Sequence, residues 1–351
     1  MSAAINPNMI LLAREARGLT QTGLANMLHT GKAGISRLEH GETAADEETL
    51  MALSQATAFP PQFFFQQGEI LPVNLSYRKR KNVPAKLLTP IEAHINIIRR
   101  HVQWIARSGQ QPPPALPVYQ VEANSHNSPA AKTPEQIAAM VRKKWSVPAG
   151  PVDDMVKLVE SQGIIIASFD FGTNRVDSRS MLTDDNYPII FLNKSLLGDR
   201  QRFSLAFELG HIIMHTFCTV PHQRDVNHEA NLFAAAFLMP QNDISKDFAA
   251  GITLPLLGEL KRKWKASMIA LLYRADDLGL LTPNQKRYMI QQFNDQKIRR
   301  REPTQLDVPI ETPQLLPKLF AGFMKKAKLS LPQLCTLLAT EQADYIKYYH
   351  A

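Results

Sequence analysis

The sequence predicts an α+β protein with an all-helical N-terminal domain, a central domain in which a small sheet packs on helices, and a helical C-terminal module. Three observations support this prediction. Apolar residues recur at helical spacing through most of the chain. Short apolar runs at residues 163–169, rich in β-branched residues, and 187–192 are typical of strands. A proline-rich stretch at residues 110–129 separates the N-terminal third of the chain from the rest.

Length and composition exclude several classes of protein. The 351 residues suffice for two or three domains, each with its own core. No apolar run approaches the roughly 18 residues of a membrane-spanning helix, so no membrane partner is expected. The first residues lack the features of a secretory signal, and two cysteines, Cys218 and Cys335, cannot build a disulfide scaffold. We therefore expect a cytoplasmic protein.

The charge is unevenly distributed along the chain. The formal net charge is +8, which permits a polyanionic partner without identifying one. Residues 1–68 carry four basic and six acidic side chains, so the basic excess lies in the remainder. It is concentrated in short runs at residues 77–81, 99–107, 261–265 and 299–301.

The predicted elements follow from start and stop signals. Two threonine–proline capping boxes, at Thr89 and Thr133, each predict the start of a helix. Strands are predicted over 163–169 and 187–192, with a further strand between them. Long helices are predicted over about 199–216 and 225–238, and a polar hinge over 299–313.

Residues 8–60 contain four short apolar-periodic segments separated by tight turns. Leu24 and Ala25 on the second segment face Ile35 and Leu38 on the third, and the small Ala25 lets these two helices approach. With Leu19-Thr20-Gln21 at its start and Gly41 at its end, this pattern resembles the Xre/Cro-type helix-turn-helix.

The resemblance implies that the third helix lies in the major groove of a double-stranded DNA operator. Two half-sites on the operator would be bound by a homodimer. A small helical bundle used only for dimerisation is the alternative. The residues expected to contact DNA are Gln21, Lys32, Ala33, Ser36 and Arg37.

Residues 200–240 carry a second pattern. Arg202 to His211, followed by Asn231-Leu232-Phe233 to Pro240, resembles the ImmA/IrrE family of metallopeptidase-like proteins. The order of motifs is similar to the subset of that family in which an Xre helix-turn-helix precedes the peptidase-like domain. The resemblance implies a zincin-like central domain.

Active members of that family carry H-E-x-x-H, whose two histidines bind zinc while the glutamate activates the bound water. Here Glu208 and His211 are present, but Phe207 stands at the first histidine position. Asn227 and Glu229 occupy positions that the family often fills with acidic residues, and the former matches the likelier third ligand. A catalytic zinc ion needs about three protein ligands, so we expect no cofactor, and Glu208 is catalytic only if the domain is active.

Two alternatives remain for this region. A weak, displaced zinc site would use His211, His215 and Glu229, with His222 and His228 close in sequence. Without metal, His211 and His215 would be hydrogen-bonded pocket residues. Glu208 would then pair with His211 or with an arginine of the preceding strands.

The residues therefore predict five regions. These are a helix-turn-helix domain (1–68), a basic connector with a proline-rich linker (69–130), a peptidase-like domain (131–250), a helical extension (251–302) and a C-terminal helical module (303–351). The predicted function is a DNA-binding transcription regulator, with an inactive peptidase-like domain that senses, dimerises or binds a partner such as a cognate toxin. The alternative is an active zinc endopeptidase that cleaves a repressor.

Overall fold

The computed structural model describes residues 4–73, 83–109, 112–121, 132–217, 220 and 223–349. The predicted fold class is confirmed: helices surround a small mixed sheet. The basic run at 77–81 lies outside the described residues, as do Cys218 and His222. In the described part of the chain, no helix is both long enough and apolar enough to cross a membrane.

The helices of the N-terminal half come first. They are α1 (Pro7–Ala16), α2 (Gln21–Met27), α3 (Lys32–Glu39), α4 (Glu47–Thr57), α5 (Ala85–Ser108), α6 (Pro134–Lys144) and α7 (Met155–Ser161), with a 3₁₀ turn at Pro61–Phe65.

Three strands and the remaining helices follow. The strands are β1 (Ile165–Phe169), β2 (Ser178–Leu182) and β3 (Pro188–Asn193). The helices are α8 (Gly198–His211), continued by a π-helical turn at Ile212–Thr216, then α9 (Val226–Leu238), α10 (Gln241–Asp247), α11 (Leu254–Trp264), α12 (Met268–Asp277), α13 (Pro283–Asp295), α14 (Leu315–Ala327), α15 (Leu331–Leu338) and α16 (Gln342–Tyr349).

The sheet has the strand order β1-β3-β2, with β3 parallel to β1 and antiparallel to β2. Every residue of β3 is buried, so both faces of the sheet are covered. Ile190 and Leu192 face a core shared with α8 and α9. Ile189 and Phe191 belong to a second core, which includes α5 and the C-terminal helices.

The second core also contains residues of the first four helices of the chain. Met9 and Leu12 of α1 are buried in the same cluster as Ile91 and Ile98 of α5 and Phe320 of α14. The N-terminal helical unit is thus joined through α5 to one face of the sheet by continuous apolar packing.

The capping box at Thr133 is confirmed, because it opens α6 with both reciprocal hydrogen bonds. The one at Thr89 is wrong, because α5 begins earlier, at Ala85, and includes Pro90. A proline near the start of a helix removes only one hydrogen bond. Burial of Leu88 in the core favours the additional turn.

The predicted polar hinge at 299–313 is also wrong, because this segment is ordered by long-range contacts. Buried Lys261 donates to Asp199 and to Glu302, at 2.7 Å from Glu302 Oε2. Glu311 accepts from the backbone nitrogens of Met155 and Val156, at 2.8 and 3.0 Å, and caps α7. The segment therefore crosses the start of α8, where a Cβ atom on Gly198 would overlap the carbonyl oxygens of residues 308 and 309.

The C-terminal helix α16 is attached to α5 by two buried tyrosine–histidine hydrogen bonds. Tyr348 Oη lies 2.5 Å from His94 Nδ1, and Tyr349 Oη lies 2.7 Å from His101 Nδ1. Burial lowers the pKa of both histidines to about 4. Both imidazoles are therefore neutral at physiological pH.

These histidines predict that acid weakens the fold. In the unfolded chain they bind protons as the pH falls through about 6.5, whereas in the folded protein they do so only near pH 4. The free energy of unfolding should therefore fall between pH 6.5 and 4, by up to about 1.4 kcal/mol per pH unit for each histidine. Thermal unfolding measured across this range tests the slope. The variant with His94→Gln and His101→Gln should show a shallower slope; an unchanged slope would contradict the assignment.

Candidate functional site

The helix-turn-helix forms as the sequence predicts. Thr20 caps α2 by accepting from the backbone nitrogen of Gly23 at 3.0 Å. Leu24, Ala25 and Ile35 are almost completely buried, so α2 and α3 are locked together through the predicted residues.

The predicted DNA-contacting residues lie on two kinds of surface. Lys32, Ala33 and Arg37 of α3 are exposed, and Ser36 is half-buried beside them. Gln21 is half-buried, and its amide donates to Glu39 Oε2 at 2.8 Å. Their contact with DNA stays a prediction.

A buried ion pair fixes the orientation of α3 on α1. Arg14 of α1 forms a two-pronged salt bridge with Glu39 at the end of α3, and its guanidinium also donates to the Leu19 carbonyl at 2.8 Å. The charges of Arg14 and Glu39 therefore neutralise each other within the N-terminal unit. The exposed cations of α3, Lys32 and Arg37, remain available to contact a phosphate backbone.

The peptidase-like motif lies at the end of α8. Phe207 is 1% exposed, and its ring centroid lies 4.7 Å from that of His211 in an edge-to-face arrangement. Gly210 lets α9 pack closely, because a Cβ atom there would come within 3.0 Å of the Phe233 ring. The first histidine position is thus filled by a buried ring that has no lone pair to donate.

Glu208 is completely buried between α8 and the edge strand β2. Its two carboxylate oxygens accept from the hydroxyls of Ser178 and Ser180, at 2.8 and 2.7 Å. Burial raises the pKa of Glu208, while the charge of Arg179 and these hydrogen bonds oppose that rise. Serine hydroxyls of β2 thus hydrogen-bond to Glu208, and the positive charge of Arg179 on the same strand acts on it, in line with the expected arginine of the preceding strands.

A chain of polar contacts connects the remaining motif residues. His211 Nδ1 and His215 Nδ1 lie 3.0 Å apart across the π-helical turn, and His215 Nε2 lies 2.9 Å from Glu229 Oε2. Arg224 donates to both oxygens of Glu229, at 2.9 and 2.6 Å. Each group contacts the next in a line, so they do not converge on one point.

His211 is the buried end of this line of polar contacts. Burial lowers its pKa to about 3; the charges of His215 and Arg179 add to this effect, and Asn227 lies close enough to oppose it. Among the residues that the structure describes, the Nε2 atom of His211 has no hydrogen-bond partner. Asn227 of α9 therefore lies close to the His211 ring, whereas Glu229 is held by Arg224.

These residues do not fit a catalytic zinc ion. In the described ranges of the chain, no three histidine, cysteine, aspartate or glutamate side chains are placed to hold a metal. His215 contacts another side chain through each ring nitrogen, and Arg224 neutralises Glu229. Arg224 was not singled out from the sequence, although it lies one residue before the predicted helix start and five before Glu229.

Two family models match the chain. Residues 10–64 match the model described as helix-turn-helix, and residues 159–276 match the Peptidase M78 model, described as the IrrE N-terminal-like domain. The protein therefore combines a helix-turn-helix domain with an IrrE N-terminal-like domain, in the order that the motifs predicted. A search of curated proteins found no match to the chain.

The serine pair predicts a stability effect. Replacing Ser178 and Ser180 together by alanine leaves the Glu208 carboxylate buried without its two hydroxyl donors. The free energy of unfolding should fall by about 2–4 kcal/mol, as measured by urea denaturation. Ser161→Ala removes a hydroxyl that donates to the Leu158 carbonyl at an exposed position and should cost less than about 0.5 kcal/mol. Equal losses in the two variants would count against this role of the serines.

The positions of Phe207 and Asn227 predict how a metal site can be restored. Phe207→His with Asn227→Asp supplies two ligands beside His211, so this variant should retain about one zinc ion per chain after dialysis. Phe207→His alone and the unchanged protein should each retain less than about a tenth of that. Elemental analysis by mass spectrometry measures the metal. Stoichiometric zinc in the unchanged protein would refute the prediction.

Proposed function

We propose that this protein is a sequence-specific DNA-binding transcription regulator whose peptidase-like domain works without metal. The exposed face of α3 carries the proposal, because Lys32 and Arg37 lie on the helix that enters the major groove in this class of domain. Because its partner is DNA, we place the protein in the cytoplasm.

The enclosed position of Glu208 supports the proposal that the peptidase-like domain does not hydrolyse peptide bonds. A zinc peptidase needs a glutamate that reaches the metal-bound water. Glu208 is instead enclosed between a helix and a strand, with both oxygens hydrogen-bonded to serines. Active zinc endopeptidase function, the alternative suggested by the family match, would require ligands that Phe207 and Asn227 do not supply.

The packing supports a sensing or partner-binding role for the rest of the chain. Arg17, directly after α1, pairs with Asp344 of α16 and lies over the Phe59 ring at 4.4 Å from its centroid. The side chain of Gln66 donates to the Leu338 carbonyl at 3.1 Å. A ligand or protein that displaced the C-terminal helices would therefore change the contacts of the DNA-binding unit, by a shift in population between two arrangements.

We further propose that the protein acts as a homodimer on two operator half-sites. A dimer compensates for the weak charge of residues 1–68, because each helix-turn-helix unit adds phosphate contacts. A second protein, such as a toxin encoded beside this chain, is the partner that would make it an antitoxin and autorepressor. Co-purification of the native complex distinguishes this role from small-molecule sensing.

The exposed cations of α3 predict how DNA binding can be weakened. Lys32→Ala with Arg37→Ala removes four cations from the homodimer. It should therefore reduce affinity for a duplex selected from a random-sequence pool by about tenfold or more, and should lower the log–log salt slope by about 4. Fluorescence anisotropy over a range of salt concentrations measures both. Lys143→Ala with Lys144→Ala removes two exposed charges of α6 as a control and should change neither. Equal effects of the two double variants would argue against α3 as the reading helix.

A further inference from the structure

The structure contains an open groove outside the closed peptidase-like motif. It has a volume of about 1030 Å³ and lies between the start of α8, one face of α9, α12 and the segment 299–302. Phe203, one helical turn before Phe207, lines it, whereas Phe207 itself is buried in the core. A groove of this size is at the upper end of the roughly 300–1,000 Å³ that small-molecule sites occupy.

Three of the four carboxylates that line this groove contact a cationic side chain. Lys261 bridges Asp199 and Glu302, and Arg200 makes a two-pronged contact with Asp177. Asp277 is the fourth lining carboxylate. These contacts offset part of the negative charge of the lining before any ligand enters.

Two cations at the edge of the groove remain available. Arg299 and Arg300 line it and are exposed. In the described part of the chain neither forms an ion pair, and the nearest polar contact of Arg299 is to the Asn294 side chain, at 3.4 Å. Arg301, the third member of this basic run, is instead paired with Asp307. Arginine binds carboxylate and phosphate groups through paired hydrogen bonds, so this pair presents an anion-binding edge.

Other residues of the lining are apolar or aromatic. Tyr273 is 39% exposed, and Leu197 is 37% exposed. Ile269 and Leu232 line the same groove. Exposed apolar side chains inside a concave surface favour a ligand that brings apolar area of its own.

We propose that this groove binds a small organic anion that combines an apolar or aromatic body with a carboxylate, sulfonate or phosphate group. The anionic group contacts Arg299 and Arg300, and the body lies against Tyr273 and Leu197. Such a ligand gives a chemical class to the signal in the sensing role proposed above, and in that respect the inference rests on the proposed function. Ligand binding to the groove is tested on the protein without DNA. If the protein proves not to bind DNA, the ligand-binding result still stands on its own.

The test uses two dyes that share an aromatic body and differ in charge. The anionic 8-anilinonaphthalene-1-sulfonate and the neutral N-phenyl-1-naphthylamine are titrated into the full chain and followed by fluorescence. Arg299→Ala with Arg300→Ala should weaken binding of the anionic dye by about tenfold and of the neutral dye by less than about twofold. Lys325→Ala with Lys326→Ala, which removes two exposed charges of α14, should change neither.

A second variant tests whether the dyes bind inside the groove. Ala270 lines the groove and is only partly buried, so Ala270→Trp fills the space and should weaken both dyes about tenfold or more. Unchanged binding of both dyes by this variant would place them elsewhere and overturn the proposal. So would equal weakening of the anionic dye by the arginine and lysine variants, because the effect would then be one of overall charge. Thermal unfolding of each variant confirms that the fold is retained.

Discussion

The three-stranded sheet has to be covered on both faces, because β3 buries all six of its residues. Helices α8 and α9 cover one face. The other face needs α5 and the C-terminal helices, which come from opposite ends of the chain. Since α1 packs on α5 in the same core, covering the sheet also attaches the DNA-binding unit to it.

The buried position of Glu208 depends on the same arrangement. A carboxylate that is buried without partners costs several kcal/mol. The hydroxyls of Ser178 and Ser180 and the positive charge of Arg179 therefore stabilise Glu208 in its buried position between α8 and β2. At the other end of the motif, Arg224 supplies Glu229 with a positive charge. The two carboxylates of the motif are therefore each held by hydrogen bonds or ion pairs, while the apolar core packs the helices of the domain together.

The segment between α13 and α14 is held in place by contacts with residues that are distant in the sequence. Its sequence is polar and rich in proline, which is typical of a hinge. Glu302 is nevertheless paired with Lys261, and Glu311 caps α7, more than 150 residues earlier in the chain. One consequence is that the arginines at 299 and 300 are held at the edge of the groove.

The sequence by itself determined the helices and strands that have local signals, such as the capping box at Thr133, and the pairing of α2 with α3 through Leu24 and Ile35. Both domains could be predicted from motifs because their residues are close in sequence. The tertiary structure decided the partners of Glu208, the ion pair of Arg224 with Glu229 and the ordering of residues 302–311. It also decided the start of α5, where burial of Leu88 outweighs the proline signal. Hydrogen bonds and burial that join distant segments leave no periodic pattern, so only the folded chain reveals them.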